Sequence, residues 1–335
     1  MARMTSGPFS FPMKDLYITD LTRFENQQVT GFFVASAKQF RAKKDSSRYL
    51  AVNLADRTGQ IECRMWDASE VGDFDNGDVI KVKGLVCRYQ EKLQINLDKI
   101  RLAAPGEYDL ADFVPHTVRS IDEMWAELNG FVDSFSNVHL KALLRAFLDD
   151  QEIAGALRHA PAAKALHHAW IGGLLEHIVS LLGLCELTAK HYPEIDRDLL
   201  MTAAVLHDIG KLRELSWGTS FDYTLEGQLV GHISIGVAMV ESKIAQLDGF
   251  PQDLRILVLH LILSHHGKYE FGSPKLPMIP EAVLFNYLDD LDAKMQTMRS
   301  EFARAEAAGK APDQMTDWVR AMERPLLNTN GLLKR

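Results

Sequence analysis

From Leu16 to Leu102 apolar and polar positions alternate with a period of two, interrupted by Gly and Asp-Gly and containing no proline. Leu50, Val52, Leu54, Ile61, Cys63 and Met65 form one set, and Tyr49, Asn53, Arg64 and Trp66 fall between them. This is the signature of strands with one face buried. Asp56 to Gly59 supplies a turn between the first two of these runs. Asn76-Gly77 precedes a third from Val79 to Val86, and a fourth covers Leu93 to Leu97. Five or so strands in about 90 residues predict a small closed barrel. After Pro105 the period becomes helical, as in Met124, Leu128, Phe131 and Val132, and is expected to stay so to the C-terminus. The fold class is therefore multidomain α and β: a small β-barrel over residues 14–105, an all-α domain over 151–335, and between them a helical connector over 106–150 packed on the all-α domain.

Within the helical part, histidines interrupt otherwise apolar faces. Leu174, His177, Ile178 and Leu181 share one face, and Leu200, Ala203, Ala204 and His207 share another. Asp208 follows His207, rotated by about 100° around the helix axis, so the pair can approach one cation from neighbouring directions. Gly210-Lys211 then loosens the helix and adds a cation. His232 opens another helix, and His265-His266 end one, with Gly267 at the position that favours a left-handed residue. Asp289 and Asp292 stand one turn apart. Any one of these has a bland reading as a core histidine or a surface acid. Together they would be several ionisable groups buried without partners, which is costly, whereas imidazole and carboxylate are the usual ligands of divalent transition metals.

Composition sharpens the picture. The chain has 335 residues, 47% of them apolar, enough for two cores. Its net charge of −8 is uneven. Residues 1–105 hold 16 Lys and Arg against 13 Asp and Glu, a net +3, and the remainder hold 21 against 32, a net −11. Phosphate binding depends on local basic surface, so the front is the part suited to a nucleic-acid strand and the acidic back suits metal cations. Pro8 and Pro12 break the start of the chain as an export signal, the longest apolar run is far short of a membrane span, and three scattered cysteines suggest no disulfide framework. A cytoplasmic protein with no membrane association is the expectation.

The order His177, His207-Asp208, Asp289, with Leu206-His-Asp-Ile-Gly-Lys211, resembles the HD superfamily of metal phosphohydrolases. The segments 161–177 and 264–277, with the extra His232 and His265-His266, are similar to the YhaM family of bacterial 3′-to-5′ exoribonucleases, which joins an OB-type domain to an HD domain in this order. The resemblance implies two divalent ions, manganese foremost with Fe, Co or Mg as alternatives. His177, His207, Asp208 and Asp289 would hold one. Asp208, as the bridge, would hold the other with His232 and His265. A water between them would attack phosphorus, making Asp208 catalytic.

Lys211 is either a neutralising group for the scissile phosphate or a solvated lysine. His266 is a ligand, a donor to a ligand, or a phosphate contact, and Asp292 orients a ligand. His167 and His168 belong to the family-like segment without an assignable role. Strand binding needs cationic and aromatic side chains together: Arg41, Lys43, Lys44, Tyr49, Arg64, Trp66, Arg88, Tyr89 and Lys92 supply them in the barrel, and Lys268, Tyr269 and Lys275 after His266, with ordinary surface or packing roles as the alternative. The implied activity is stepwise release of nucleoside monophosphates from single-stranded RNA, and also DNA. Two other readings stay open: an HD-type cyclic-dinucleotide or nucleotide phosphohydrolase, and a non-catalytic single-strand-binding protein with a structural metal. The resemblance also hints at a homo-oligomer.

Overall fold

The computed structural model describes residues 14–43, 47–67, 71–90, 92–104, 106–109, 112–164, 170–218 and 221–333. The chain divides into two compact units, one running to Pro115 and the other starting at His116. In the first, β1 (Gln28–Ala42), β2 (Arg48–Asp56), β3 (Gly59–Met65), β4 (Val79–Tyr89) and β5 (Lys92–Leu102) close a barrel in the order β1-β2-β3-β5-β4. Neighbours are antiparallel except β3 and β5, which run parallel. The period-two alternation is the cause of this arrangement. Leu50, Val52, Leu54, Ile61, Cys63 and Met65 point inward and meet Phe33, Ile80, Val82, Val86, Ile95 and Leu97 in one core. Leu21, from a 3-10 turn over Ile18–Phe24, packs into the same core.

Lys14 ties the entry segment to the barrel. Its Nζ donates to Asp56 Oδ2 at 2.7 Å and to the Phe32 carbonyl at 2.8 Å, and lies 4.2 Å from the centre of the Phe33 ring. Asp56 also accepts from the backbone N–H groups of Ile18 and Thr58. Burial lowers the Lys14 pKa against the opposing pull of Asp56.

The second unit is built from α1 (Ile121–Asp133), α2 (Val138–Leu148), α3 (Gln151–His159), α4 (Gly173–His191), α5 (Arg197–Leu206), α6 (Lys211–Glu214), α7 (Leu225–Val230), α8 (His232–Ile244), α9 (Gln252–Ser264), α10 (Pro280–Ala307) and α11 (Thr329–Leu333). Side chains of Ser120, Asn137, Asp150, Asp196 and Thr224 accept from the first free N–H groups of α1, α2, α3, α5 and α7. Met124, Leu128, Leu140, Leu144 and Phe147 from α1 and α2 share one core with Leu174, Ile178, Leu200 and Phe285. The helices expected as a connector are therefore part of the same packed body as α4, α5 and α10. One expectation is corrected: the helical period does not run unbroken to the end. A short hairpin, β6 (Leu215–Trp217) with β7 (Phe221–Tyr223), interrupts it. Strands of three residues carry too few positions for a two-residue period to show. Among the described residues no helix is long and apolar enough to cross a membrane.

Candidate functional site

Five helix ends and faces deliver polar side chains to one place in the helical unit. His177 is buried on α4 between the core residues Leu174, Ile178 and Leu181. His207 caps the C-terminus of α5, and Asp208 begins the turn after it. Gly210 lets that turn lie against the start of α8, since a Cβ there would stand 1.9 Å from the carbonyl oxygen of His232. His232 is the first residue of α8. His265 caps α9, and His266 precedes Gly267, whose φ of +76 turns the chain out of the helix. From α10, Asp289 and buried Asp292 face His177.

Two groups of ligand atoms result. One holds His177, His207 and Asp289, the other His232, His265 and His266, and in each the atoms lie within 4.8 Å of one another. Asp208 stands between them. Its Oδ2 is 3.2 Å from His207 Nε2, while its Oδ1 is 3.5 Å from His232 Nε2 and 3.8 Å from His265 Nε2. Nitrogen and oxygen ligands at about 2.0–2.2 Å from a dication stand roughly 3 Å apart around it, so these spacings suit ions on either side of Asp208.

The other ring nitrogen of each histidine is already engaged. His207 Nδ1 faces the Ala203 and Ala204 carbonyls, His265 Nδ1 that of Ile262, and His266 Nδ1 that of Phe271. His177 Nδ1 is held by Asp292 at 2.8 Å and His232 Nδ1 by Glu214 at 3.0 Å. Donation from Nδ1 leaves Nε2 as the lone-pair side. Among the described residues, the buried side-chain polar atoms without a hydrogen-bond partner are His207 Nε2, Asp208 Oδ1, His232 Nε2 and His265 Nε2. A buried polar atom left unsatisfied costs about 1–3 kcal/mol. Four of them gathered around Asp208 is an arrangement suited to cations, and the donor set fits a divalent transition metal.

The electrostatics point the same way. Burial alone would raise the Asp208 pKa, but Lys211 and His207 hold the carboxyl well below its ordinary value. Lys211 Nζ donates to Asp208 Oδ2 at 2.6 Å, and although burial disfavours its charge, Asp208 keeps its pKa raised. His177 runs the other way: burial opposes its charge, but Asp289 and Asp292 outweigh it and push the group up to about 9, so a metal at its Nε2 would take the place of a proton. His265 is held far below the usual imidazole range by burial and by its neighbour His207, so it stays neutral and able to ligate.

All eight helical-unit residues singled out from the sequence as metal ligands or catalytic groups thus meet in one place: His177, His207, Asp208, Lys211, His232, His265, His266 and Asp289. Lys268 and Tyr269 are exposed on the turn after His266. Sequence reasoning missed Glu214 and Ser180, whose hydroxyl donates to Asp292 at 2.5 Å. The available signal was spacing, with Ser180 three residues after His177 and Glu214 three after Lys211.

On the barrel, Tyr49 and Trp66 sit together with ring centres 5.1 Å apart. The Arg64 guanidinium is 6.0 Å from the Trp66 ring centre and 5.2 Å from that of Tyr89. Arg41 is exposed on β1 opposite Tyr49 and contacts Gln39, and Lys43 follows it at the strand end. A polar groove of about 400 Å³ lies alongside, lined by Gln39, Arg41, Asn53, Gln60 and Glu62. Arg88 is turned instead to Glu25, with both carboxylate oxygens 3.0 Å from its Nε. Lys44, His167 and His168 lie outside the described residues.

A family model described as an OB-fold nucleic acid binding domain matches residues 34–103, and one described as an HD domain matches residues 174–294. Fold and site together define a two-domain protein of the OB-plus-HD class. Proteins named 3′-5′ exoribonuclease YhaM are 35% identical to it in Bacillus velezensis and 34% in Bacillus subtilis, each over 89% of this chain and 93% of the relative. That of Geobacillus sp. strain WCH70 is 35% identical over 82% of this chain and 83% of its own. The chain belongs to the YhaM family.

Proposed function

We propose that this chain is a metal-dependent exoribonuclease that shortens single-stranded RNA, and DNA as a second substrate, from the 3′ end and releases nucleoside monophosphates in the cytoplasm. The observation that carries the reading is the set of orphaned ligand atoms around Asp208, in a chain of the YhaM family. His177, His207, Asp208 and Asp289 would hold one divalent ion. Asp208, His232, His265 and His266 would hold a second, with manganese the first choice for both. Bound there, such ions bring a water towards neutrality in pKa and offset charge on the phosphate. Asp208 stays ionised between the two groups. Lys211, kept protonated by Asp208, adds a fixed positive charge at the edge of the site. Lys268 and Tyr269 offer a cation and a ring to the sugar-phosphate end of a strand. Tyr49, Arg64 and Trp66 offer the barrel's stacking face, next to Arg41 and Lys43.

The test uses the full-length protein with one RNA labelled at its 5′ end and a second copy labelled at its 3′ end, with Mn²⁺ or with chelator. The 3′ label should leave at once as a mononucleotide while the 5′-labelled strand shortens in single steps, and chelator should stop both until Mn²⁺ is restored. Internal cuts preceding any mononucleotide, or intact RNA beside a hydrolysed cyclic dinucleotide or nucleoside triphosphate, would overturn the reading.

A further inference from the structure

Of the histidines facing the metal-ligand cluster, three are anchored at Nδ1 by neutral backbone carbonyls and two by carboxylates. The two carboxylates are divided between the two groups: Asp292 stands behind His177 and Glu214 behind His232. A carbonyl fixes a ring's orientation. A carboxylate fixes it and also makes the imidazole a stronger donor to a metal.

Glu214 is held unusually firmly. Its side chain is nearly buried, and Oε1 accepts both from the His232 ring Nδ1 at 3.0 Å and from the His232 backbone N–H at 2.9 Å. Its own carbonyl accepts from the Thr224 N–H at 2.9 Å. Gly227 lies so close that a Cβ there would stand 2.1 Å from the Glu214 oxygen. The segment between the hairpin and α8 is thus pressed onto Glu214, and Glu214 in turn sets the start of α8 and the ring of its first residue.

We propose that Glu214 is the positioning residue of the second metal pocket: acting through His232, it sets the affinity of the His232, His265 and His266 group independently of the His177 group. This rests on the two-ion reading above. The test is a Mn²⁺ titration of the full-length protein, with free Mn²⁺ followed by electron paramagnetic resonance, in wild type, Glu214→Ala, Glu214→Gln, His232→Ala and the double variant Glu214→Ala with His232→Ala. Wild type should bind two ions. Glu214→Ala should weaken one of them by about 10- to 100-fold, the usual effect of losing such a partner, and leave the other unchanged. Glu214→Gln keeps an oxygen for both N–H groups without the charge and should fall between. Once His232 is Ala, adding Glu214→Ala should change the affinity no further.

A wild type that binds one ion only would remove the two-ion reading, and this proposal with it. Two ions in wild type with unaltered affinities in Glu214→Ala would overturn the role of Glu214 alone. So would an equal loss at both sites, or a further loss in the His232→Ala background, because either would mean that Glu214 supports the fold and not the ligand. Should Glu214→Ala not fold, Glu214→Gln decides: wild-type affinity at both ions would overturn the proposal, and weakening confined to one would support it.

Discussion

Asp208 carries more contacts than a single ligand needs, and this decides how it should be tested. Its two oxygens face different imidazoles, and Oδ2 also neutralises the buried ammonium of Lys211. Asp208→Ala would strand that ammonium, and breaking a buried pair in this way costs about 3–5 kcal/mol. Asp208→Asn keeps an oxygen for Lys211 and removes only the charge. We expect Asp208→Asn to keep its helical circular dichroism yet bind less Mn²⁺ and fall below about a tenth of wild-type hydrolysis, since loss of the group shared by the two clusters should raise the barrier by several kcal/mol. Asp208→Ala should show the same loss together with reduced stability. An Asp208→Asn protein retaining more than that fraction of activity would remove Asp208 from the chemistry. His177 and His207 could be read from sequence because each follows apolar residues on one helix face, and Asp208 because it stands next to His207. Glu214 offered only its spacing from Lys211, since four-residue α6 has no apolar face to contradict it.

At the scale of elements, the barrel strands were readable because each has a wet face and a dry one, so the period of two is written through β2 and β3 almost residue by residue. Hairpin β6-β7 was not, and neither was the contribution of the entry segment. Lys14 lies before the first strand, yet its ammonium is buried against Phe33 and paired with Asp56. No local pattern announces a contact between positions 42 residues apart. Asp56→Ala should therefore destabilise the barrel by about 3–5 kcal/mol, because it leaves the buried Lys14 charge unpaired and also frees the Ile18 and Thr58 N–H groups. Chemical denaturation should show an earlier transition in the barrel while the helical signal unfolds at its former midpoint. An unchanged first transition would mean that Lys14 reaches water readily and contributes little.

For the whole molecule, the split between a front of +3 and a back of −11 is the reason to expect the strand on the barrel and the chemistry in the helical unit. Every proposed metal ligand lies between His177 and Asp289, whereas the neighbouring rings of Tyr49 and Trp66 with Arg64 lie on the barrel. Arg64, partly buried, faces the exposed Glu62 at a loose 3.7 Å, and a loose surface pair is worth only about 0–1 kcal/mol, so a phosphate can take the place of Glu62. Arg88 has both oxygens of Glu25 within 3.0 Å of its Nε and is less available. Combined Arg64→Ala and Trp66→Ala in the full-length protein should lower affinity for a long single strand by the roughly 1–3 kcal/mol that one lost stacked base is worth. The salt dependence should become shallower by about 0.7 in log-log slope, the share of one phosphate contact on a single strand. Arg88→Ala should do less on both counts. Turnover of a small generic phosphodiester should not change in either variant, since no proposed metal ligand is altered. Strand affinity measured at two salt concentrations, beside small-substrate turnover, separates the outcomes. If affinity and slope survive the double replacement, the Tyr49–Trp66 face does not hold the strand, and its basic residues are a solvated surface.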